Sequence, residues 1–304
     1  MSLETDLLID RRRLKRRLFV WRGIAVLAVV IAAIVAIGPT RLVGGGRYVA
    51  RLNVDGIISD DRALTKAVTD LADNRRVAAL IVSIDSPGGS VAGGESMHDA
   101  IEKVAAKKPV VTVMRGTAAS AGYMIAVPAA RIFARESTLT GSIGVLLETG
   151  EASGLLAKLG ISATAIVSGP LKDQPSFTAP LSPAGREVLQ GLVADMYDQF
   201  VGIVAEGRHM DADKIRTLAD GRAYTGRQAL KLGLIDAIGG EDEARAWLAS
   251  EKGVPASLPA RDVTANTGFS ARALGMSFGD GLKSVLSQGL TLDGAWALWQ
   301  PARD

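Results

Sequence analysis

The sequence predicts an α/β protein built around a largely parallel β-sheet. Continuous apolar runs such as 77–84 (VAALIVSI) and 110–114 (VVTVM) are typical of strands that are buried on both faces. Each run is followed by a turn and then by a segment in which apolar residues recur with helical spacing. Strands that alternate with helices in this way indicate a parallel sheet covered by helices.

The individual elements follow from apolar periodicity and from turn and capping residues. The first strand, 48–58, is broken at the turn signal Asp55-Gly56, and a long helix over 182–207 begins at Ser182-Pro183, a cap and first-turn pair. The other predicted strands are 77–84, 110–114, 131–134, 143–147 and 162–168. The other predicted helices are 62–75, 94–107, 119–127, 153–160, 211–219, 226–233 and 241–251.

Composition excludes several classes of chemistry. The chain has no cysteine, so disulfides, thiolate metal sites and cysteine nucleophiles are ruled out, and its two histidines are His98 and His209. We interpret both histidines as structural and expect no metal and no cofactor. Residues 1–22 carry a net charge of +4, which leaves about −1 for the rest of the chain. The basic pI therefore does not indicate a nucleic-acid partner.

The N-terminal region predicts a membrane anchor. Residues 18–38 form an apolar run with one charge, Arg22, and at about 1.5 Å per residue such a helix crosses a hydrocarbon core roughly 30 Å thick. The basic cluster 11–17 precedes it, so the positive-inside rule places the N-terminus in the cytoplasm and the later residues outside it. An uncleaved anchor is favoured over a signal peptide, because cleavage after Gly38 would leave Pro39 as the first residue.

The predicted domain organisation follows from this anchor. A cytoplasmic N-terminus (1–17) and the span (18–38) precede a Gly-rich linker (39–47) and a catalytic domain (48–252). Apolar periodicity weakens after this domain, and we interpret residues 253–304 as a flexible or partner-dependent tail.

Two Gly-rich or small-residue turns are candidates for a catalytic site. Gly88-Gly89 in Asp85–Val91 lets the backbone turn sharply, so that amide N–H groups can point into a cleft and stabilise an oxyanion. Ser120 lies among small residues at a strand-to-helix junction, which would expose its hydroxyl, and the N–H of Ala121 follows it. Taken alone, the first motif is more often an ordinary turn, and Ser120 could equally be a helix N-cap.

Two further candidates lie in loops. Ser142 occupies a tight Gly-flanked turn, and Lys172 lies in a segment rich in Gly, Pro and Ser. A lysine in such a loop is usually solvated, and it becomes a base near neutral pH only where burial disfavours its charge. Because both histidines have structural interpretations, a serine nucleophile here would need a different base, and Ser-Lys pairs supply one.

Together these motifs resemble the signal peptide peptidase A family, the S49 serine peptidases, in its short, membrane-anchored, single-domain form. The resemblance covers roughly residues 48–250, with the motifs in the family's order. The matching stretches are DSPGGSV (85–91), TAASAGYMIA (117–126), LTGSIGV (139–145), SGPLKD (168–173) and DGRAYTGRQALKLGLIDAIGG (220–240).

The resemblance implies a fold of the Clp protease/crotonase kind and a role for each site residue. Ser120 would be the nucleophile, Lys172 the general base, Ser142 the residue that orients the lysine, and Gly89 and Ala121 the oxyanion hole. The family often has Gly where this chain has Ala121, but an alanine amide can still donate. The resemblance also implies a ring-shaped homo-oligomer, in which Ser120 and Lys172 can meet across a contact, and apolar peptides such as remnant signal peptides as substrates.

Three alternatives stay open at the level of sequence. A crotonase-like acyl-CoA enzyme could share the fold and the oxyanion turn. A non-catalytic membrane scaffold could use the same fold to recruit partners. A narrower peptidase could act on a membrane protein instead of on signal peptides.

Overall fold

The computed structural model describes residues 19–29, 46–265 and 296–298 of the chain, the last three by their backbone only. The chain divides into two compact units, Met1–Gly46 and Arg47–Asp304. In the first unit, residues 19–29 form helix α1, whose side chains are all exposed. Among the described residues, no helix is both long and apolar enough to cross a bilayer. The basic cluster 11–17 and the remainder of the predicted span lie outside the described residues.

One mixed β-sheet organises the second unit. Its strands are β1 (Tyr48–Ile58), β2 (Val77–Ser90), β3 (Val110–Ala119), β4 (Arg131–Ala134), β5 (Leu139–Gly141), β6 (Ala223–Thr225), β7 (Ala237–Ile238), β8 (Ala260–Asp262) and β9 (Trp296–Leu298). The strand order is β6-β5-β3-β2-β1-β8; in addition, β4 pairs with β3, β9 pairs with β2, and β7 pairs with β4. The pairs β5–β6 and β2–β9 are antiparallel and the others are parallel, in agreement with the predicted α/β class.

Helices connect and cover these strands. The longest helix starts at the predicted cap: the Ser182 hydroxyl accepts a hydrogen bond from the amide of Gly185, and Pro183 is the first residue of the helix. The helices of this unit are α2 (Arg62–Leu71), α3 (Val91–Ala105), α4 (Ala121–Ala126), α5 (Ser153–Lys158), α6 (Pro183–Arg208), α7 (Ala212–Leu218), α8 (Gly226–Leu232) and α9 (Glu241–Lys252).

The apolar core lies on both faces of β2 and β3, as the continuous apolar runs predicted. One face packs against α2, α3, α4 and α6, and its fully buried side chains include Leu80, Val82, Ile101 and Phe200. The other face packs against α9 through a smaller cluster that contains Ile81, Val111, Val113 and Leu248.

Two predicted strands are wrong. Residues 143–147 contain no regular strand, because Gly141 and Ser142 adopt positive φ angles of 77° and 48° and turn the chain out of the sheet. Residues 162–168 form neither strand nor helix and are all exposed. An apolar run without a sheet edge to pair with cannot satisfy its backbone groups as a strand.

The central strands are longer than their apolar runs. β2 continues from the predicted end at residue 84 through the Gly88-Gly89 motif, and β1 pairs with it up to Ile58↔Gly89. The Asp55-Gly56 signal that suggested a break in β1 is instead a bulge, since the register shifts between Asp55 and Ile57. The sheet also extends beyond the predicted domain end at 252, because β8 pairs in parallel with β1.

Candidate active site

Ser120 occupies a strained turn between β3 and α4. Its φ and ψ angles are 56° and −121°, a conformation that non-glycine residues rarely adopt. The Ser120 carbonyl accepts hydrogen bonds from the amides of Tyr123 and Met124, which starts the helix immediately after the serine. A sharp, strained strand-to-helix turn of this kind is the geometry of a nucleophile elbow.

The Ser120 hydroxyl is not a helix cap. It makes no capping hydrogen bond, the residue is 0% exposed, and its Oγ has no hydrogen-bond partner among the described residues. A buried polar atom without a partner costs about 1–3 kcal/mol and calls for an explanation in chemistry. The N-cap interpretation that the sequence left open is therefore excluded for this side chain.

Glycines allow close backbone approach at the end of β2 and at the start of α4. A side chain at Gly89 would meet the Ile58 carbonyl oxygen 1.9 Å from its Cβ, and one at Gly122 would meet the Ser86 carbonyl oxygen at 3.2 Å. A Cβ at Gly94, in the first turn of α3, would lie 3.0 Å from the Cβ of Ala121. The glycines thus allow the end of β2, the start of α3 and the start of α4 to approach one another.

Ser142 is held by backbone groups from both sides. Its hydroxyl donates to the Gly221 carbonyl at 3.1 Å, and its amide donates to the Arg222 carbonyl at 2.9 Å. The Arg222 side chain in turn donates to Asp220, and this hydrogen bond holds the pKa of the Asp220 carboxyl below its usual value. The turn of Ser142 is therefore positioned by a loop about 80 residues later in the chain.

Lys172 lies elsewhere in this structure. Its side chain is exposed, and its backbone amide donates to the Gly169 carbonyl at 3.1 Å. Because the Ser120 Oγ has no hydrogen-bond partner in the described part of the chain, Lys172 is not within hydrogen-bonding distance of it. The loop that carries Lys172 is tied to the start of α6 by Gln174, whose side-chain oxygen accepts from the Ser182 amide at 3.0 Å. Within a single chain, Ser120 is followed directly by Ala121 and its amide donates to the carbonyl of Gly141, the residue before Ser142, while Lys172 stays apart from the Ser120 hydroxyl.

Asp85 is a supporting residue that local sequence does not single out. Asp85 was assigned only to a turn, but its carboxylate accepts a hydrogen bond from the Thr117 amide at 3.0 Å. A Cβ at Gly116 would lie 3.1 Å from the same carboxylate, so the glycine leaves room for it. The bond links the end of β2 to the segment that leads into Ser120. An aspartate directly after a buried strand was the available signal.

The two histidines do not serve Ser120. The Nδ1 of His98 lies 3.3 Å from the Asp99 carboxylate of the same helix, and His209 ends α6 in a left-handed conformation with φ of 52°. Neither is a partner of the Ser120 hydroxyl, since that Oγ has none within the residues that the structure describes.

Comparison with known proteins identifies the family. The profile of Peptidase family S49 matches residues 102–255. The "Putative protease slr0021" of Synechocystis is 40% identical over 210 residues, which cover 68% of this chain and 76% of that protein. The "Putative signal peptide peptidase SppA" of Enterococcus faecium is 36% identical over 260 residues, which cover 79% and 75% of the two chains.

A solved structure is also similar. A mutant of ClpP1 from Listeria monocytogenes aligns with 62% of this chain and 91% of its own, at 19% identity and a TM-score of 0.42. The family assignment rests on the sequence matches. The chain therefore belongs to peptidase family S49 and is a serine peptidase.

Proposed function

We propose that this peptidase uses Ser120 as its nucleophile and Lys172 as its general base. The observation that carries the proposal is the Ser120 turn: strained backbone angles hold a buried hydroxyl that has no hydrogen-bond partner among the described residues. Strain and an unpaired polar group both lower stability, and proteins keep such features mainly where chemistry requires them.

The proposed reaction proceeds through an acyl-enzyme. A neutral Lys172 amine takes the proton of the Ser120 hydroxyl as the oxygen attacks the carbonyl carbon of a peptide bond. The backbone amides of Gly89 and Ala121 donate to the oxyanion that forms. The Lys172 ammonium then gives its proton to the leaving amine, and the ester on Ser120 remains. Water, activated by Lys172, hydrolyses this ester and restores the free serine.

We further propose that Lys172 reaches Ser120 from a neighbouring copy of the chain in a ring. Lys172 lies in the stretch 155–177, in which several large apolar side chains are exposed: Leu155 is 61%, Ile166 99% and Phe177 62% accessible. Large apolar groups exposed together indicate a surface that another molecule covers. Such a contact would also bury Lys172, and burial favours the neutral form of an amine.

Ser142 is proposed to orient this lysine. Its hydroxyl hydrogen is already donated to the Gly221 carbonyl, but the hydroxyl oxygen can still accept a hydrogen bond through its lone pairs. The Lys172 amine is the donor that we assign to it.

The proposed substrates are apolar peptides at a membrane, remnant signal peptides among them. An open groove of about 970 Å³ is lined by Gly221, the hydrogen-bond partner of Ser142, and by apolar residues of α6 such as Leu189 and Val193. A relative carries the name of a signal peptide peptidase. The proposed anchor over 18–38 would hold the catalytic domain at the outer face of the cytoplasmic membrane. The domain itself is proposed to have the Clp protease/crotonase fold.

Mixing two inactive variants tests the proposal. Full-length wild type, Ser120→Ala and Lys172→Ala are purified in detergent, and hydrolysis of an apolar fluorogenic peptide is measured for each and for co-refolded mixtures. We expect both variants to be inactive alone. If Ser120 and Lys172 meet across a contact, an equal mixture recovers activity, because about a quarter of the contacts join one intact Ser120 to one intact Lys172.

Other outcomes are equally informative. Full activity of Ser120→Ala would refute the assignment of the nucleophile. Inactive variants whose mixture stays inactive would place both residues in one chain. A folded wild-type oligomer that does not cleave the apolar peptide would refute the proposed substrate class.

A further inference from the structure

Strand β3 changes its neighbour in the sheet just before the Ser120 turn. On the side away from β2, residues 111–114 of β3 pair with β4, whereas residues 117–119 pair with β5. The change of partner falls within residues 115–117, which we call the β3 bulge. The last pairing with β5 ends directly before Ser120, so the bulge determines which strand supports the proposed nucleophile.

The pairing with β2 defines this bulge. Ile84 of β2 pairs with Met114 of β3, and Ser86 pairs with Ala118. Asp85 therefore stands alone opposite three residues of β3, where a regular ladder would place one. Bulges of this kind bend a strand and re-aim the side chains that follow, and they are frequent beside active sites.

Side chains, in place of a strand, bind two backbone groups of the bulge. The Asp85 carboxylate accepts a hydrogen bond from the Thr117 amide at 3.0 Å. The buried Thr138 hydroxyl donates to the Arg115 carbonyl at 2.5 Å and accepts from the Arg135 amide at 2.9 Å. Backbone groups that leave a ladder need such partners, so these two side chains hold the bulge from β2 and from the segment before β5.

The bulge connects the two proposed parts of the reaction centre. Asp85 belongs to β2, the strand that carries Gly89 four residues later, and it binds the segment of β3 that leads into Ser120. The pairing of β3 with β5 then continues into the 2.8 Å bond from the Ser120 amide to the Gly141 carbonyl. A displacement of the bulge would therefore move Ser120 relative to Gly89.

We propose that Asp85 and Thr138 are positioning residues of the peptidase, which hold the β3 bulge and thereby set the Ser120 hydroxyl against the amide of Gly89. This inference rests on the proposed function for the roles of Ser120 and Gly89. What it requires is an acceptor oxygen at position 85 and a hydroxyl at position 138, and not a charge or a contact with the substrate. A displacement of about 1 Å at a reacting group costs on the order of 100-fold in rate.

Paired substitutions at Asp85 test this requirement in the full-length chain. Asp85→Ala removes the acceptor, whereas Asp85→Asn keeps a side-chain oxygen that can accept from the Thr117 amide. In hydrolysis of the apolar fluorogenic peptide, we expect kcat of Asp85→Ala to fall about 30-fold with KM within about two-fold of the parent. Asp85→Asn should stay within about three-fold of the parent in kcat and keep the shape of its pH profile, because Asp85 transfers no proton.

The same comparison applies at Thr138. Thr138→Val keeps the shape of the side chain and removes the hydroxyl, so kcat should fall by a similar factor of about 30. Thr138→Ser keeps the hydroxyl and should restore most of the rate. Because the two positions contact the bulge independently, loss of folding in one variant leaves the other pair as the test.

Asp211→Ala is the matched control. It removes another carboxylate that accepts a backbone amide, from Asp213 at 2.8 Å at the start of α7. It should lower stability and leave kcat unchanged. Hydrogen exchange of residues 117–122, followed by mass spectrometry, reports on the Ser120 turn without any need for activity. We expect exchange about ten-fold faster in Asp85→Ala and unchanged in Asp211→Ala.

These measurements separate the possible outcomes. The inference would be overturned by normal kcat in Asp85→Ala and Thr138→Val, by an Asp85→Asn variant as slow as Asp85→Ala, or by an equal loss in Asp211→Ala. Unchanged exchange at 117–122 would overturn it as well. If exchange rises only in Asp85→Ala while the wild type does not hydrolyse the peptide, the hold of the bulge on the Ser120 turn is supported and the proposed reaction of this peptide is refuted.

Discussion

The Ser120 amide donates a 2.8 Å hydrogen bond to the carbonyl oxygen of Gly141. This bond joins the turn of the proposed nucleophile to the residue directly before Ser142. Both serines have positive φ angles, 56° and 48°, so each turn is strained and each is held by bonds to another part of the chain. The two motifs therefore form one rigid unit, and substitutions in it should affect activity and stability differently.

Replacing the proposed nucleophile should make the protein more stable. Ser120→Ala removes a buried hydroxyl that has no partner among the described residues, so we expect the free energy of unfolding to rise by about 1 kcal/mol while kcat falls by at least about 10⁴-fold. Urea denaturation and peptide hydrolysis measure the two effects.

The control for this variant is another serine-to-alanine change. Ser182→Ala removes the N-cap of α6, whose hydroxyl accepts from the Gly185 amide at 3.0 Å, and should lower stability by about 1 kcal/mol. Equal destabilisation of both variants would show that the Ser120 hydroxyl has a structural partner.

Gly89 should tolerate no side chain. In Gly89→Ala the new Cβ would lie 1.9 Å from the Ile58 carbonyl oxygen, which forces β1 and β2 apart, so we expect a loss of about 3 kcal/mol in stability and of nearly all activity. Thermal unfolding and the peptide assay provide the measurement.

Gly202→Ala is the matched glycine control. A Cβ at this position in α6 meets no atom within 4 Å, so the variant should gain up to about 1 kcal/mol of stability and keep its activity. If Gly89→Ala behaved like Gly202→Ala, the close approach of Gly89 to β1 would be refuted.

Ser142 should act on the rate of the chemical step. Ser142→Ala removes the bond to the Gly221 carbonyl and the proposed acceptor for Lys172, so we expect kcat to fall about 10- to 100-fold with KM nearly unchanged. Steady-state kinetics at several substrate concentrations separate the two parameters. A rise in KM alone would place Ser142 in substrate binding instead of in the orientation of the lysine.

A buried ion pair should stabilise the domain without contributing to catalysis. The Arg208 side chain is 9% exposed and donates to Asp236 from Nη2 at 2.6 Å and from Nη1 at 3.1 Å. Asp236→Asn leaves a buried guanidinium without its counter-charge, so we expect a loss of about 3 kcal/mol in the free energy of unfolding.

The exposed pair between Arg216 and Asp198 serves as the comparison. Both side chains are largely accessible, at 45% and 59%, so Asp198→Asn should cost less than about 1 kcal/mol. Activity per folded molecule should stay normal in both variants. A similar loss of stability in the two would contradict the importance of burial at Arg208.

Local sequence predicted most of the helices and strands, but it failed for strands whose formation depends on pairing with residues far away in the chain. The strand predicted at 131–134 has the observed bounds of β4, and α6 lies within one residue of its predicted limits. The strand predicted at 162–168 is absent, because its β-like composition has no sheet edge to pair with. β6, β7 and β8 were not predicted, since strands of two or three residues have too few positions for a period of two to appear.

The candidate site also combines features that local sequence predicts with features that depend on long-range contacts. The sequence by itself determined that Ser120 would stand at a strand-to-helix junction and that glycines would follow the apolar run 77–84, because small residues and an apolar run are local signals. Only the tertiary structure decided that the Ser120 hydroxyl has no partner among the described residues, that Gly221 holds Ser142, and that β9 pairs with the edge of β2. These contacts join residues far apart in the chain, and sheet topology, unlike local periodicity, determines which backbone groups meet.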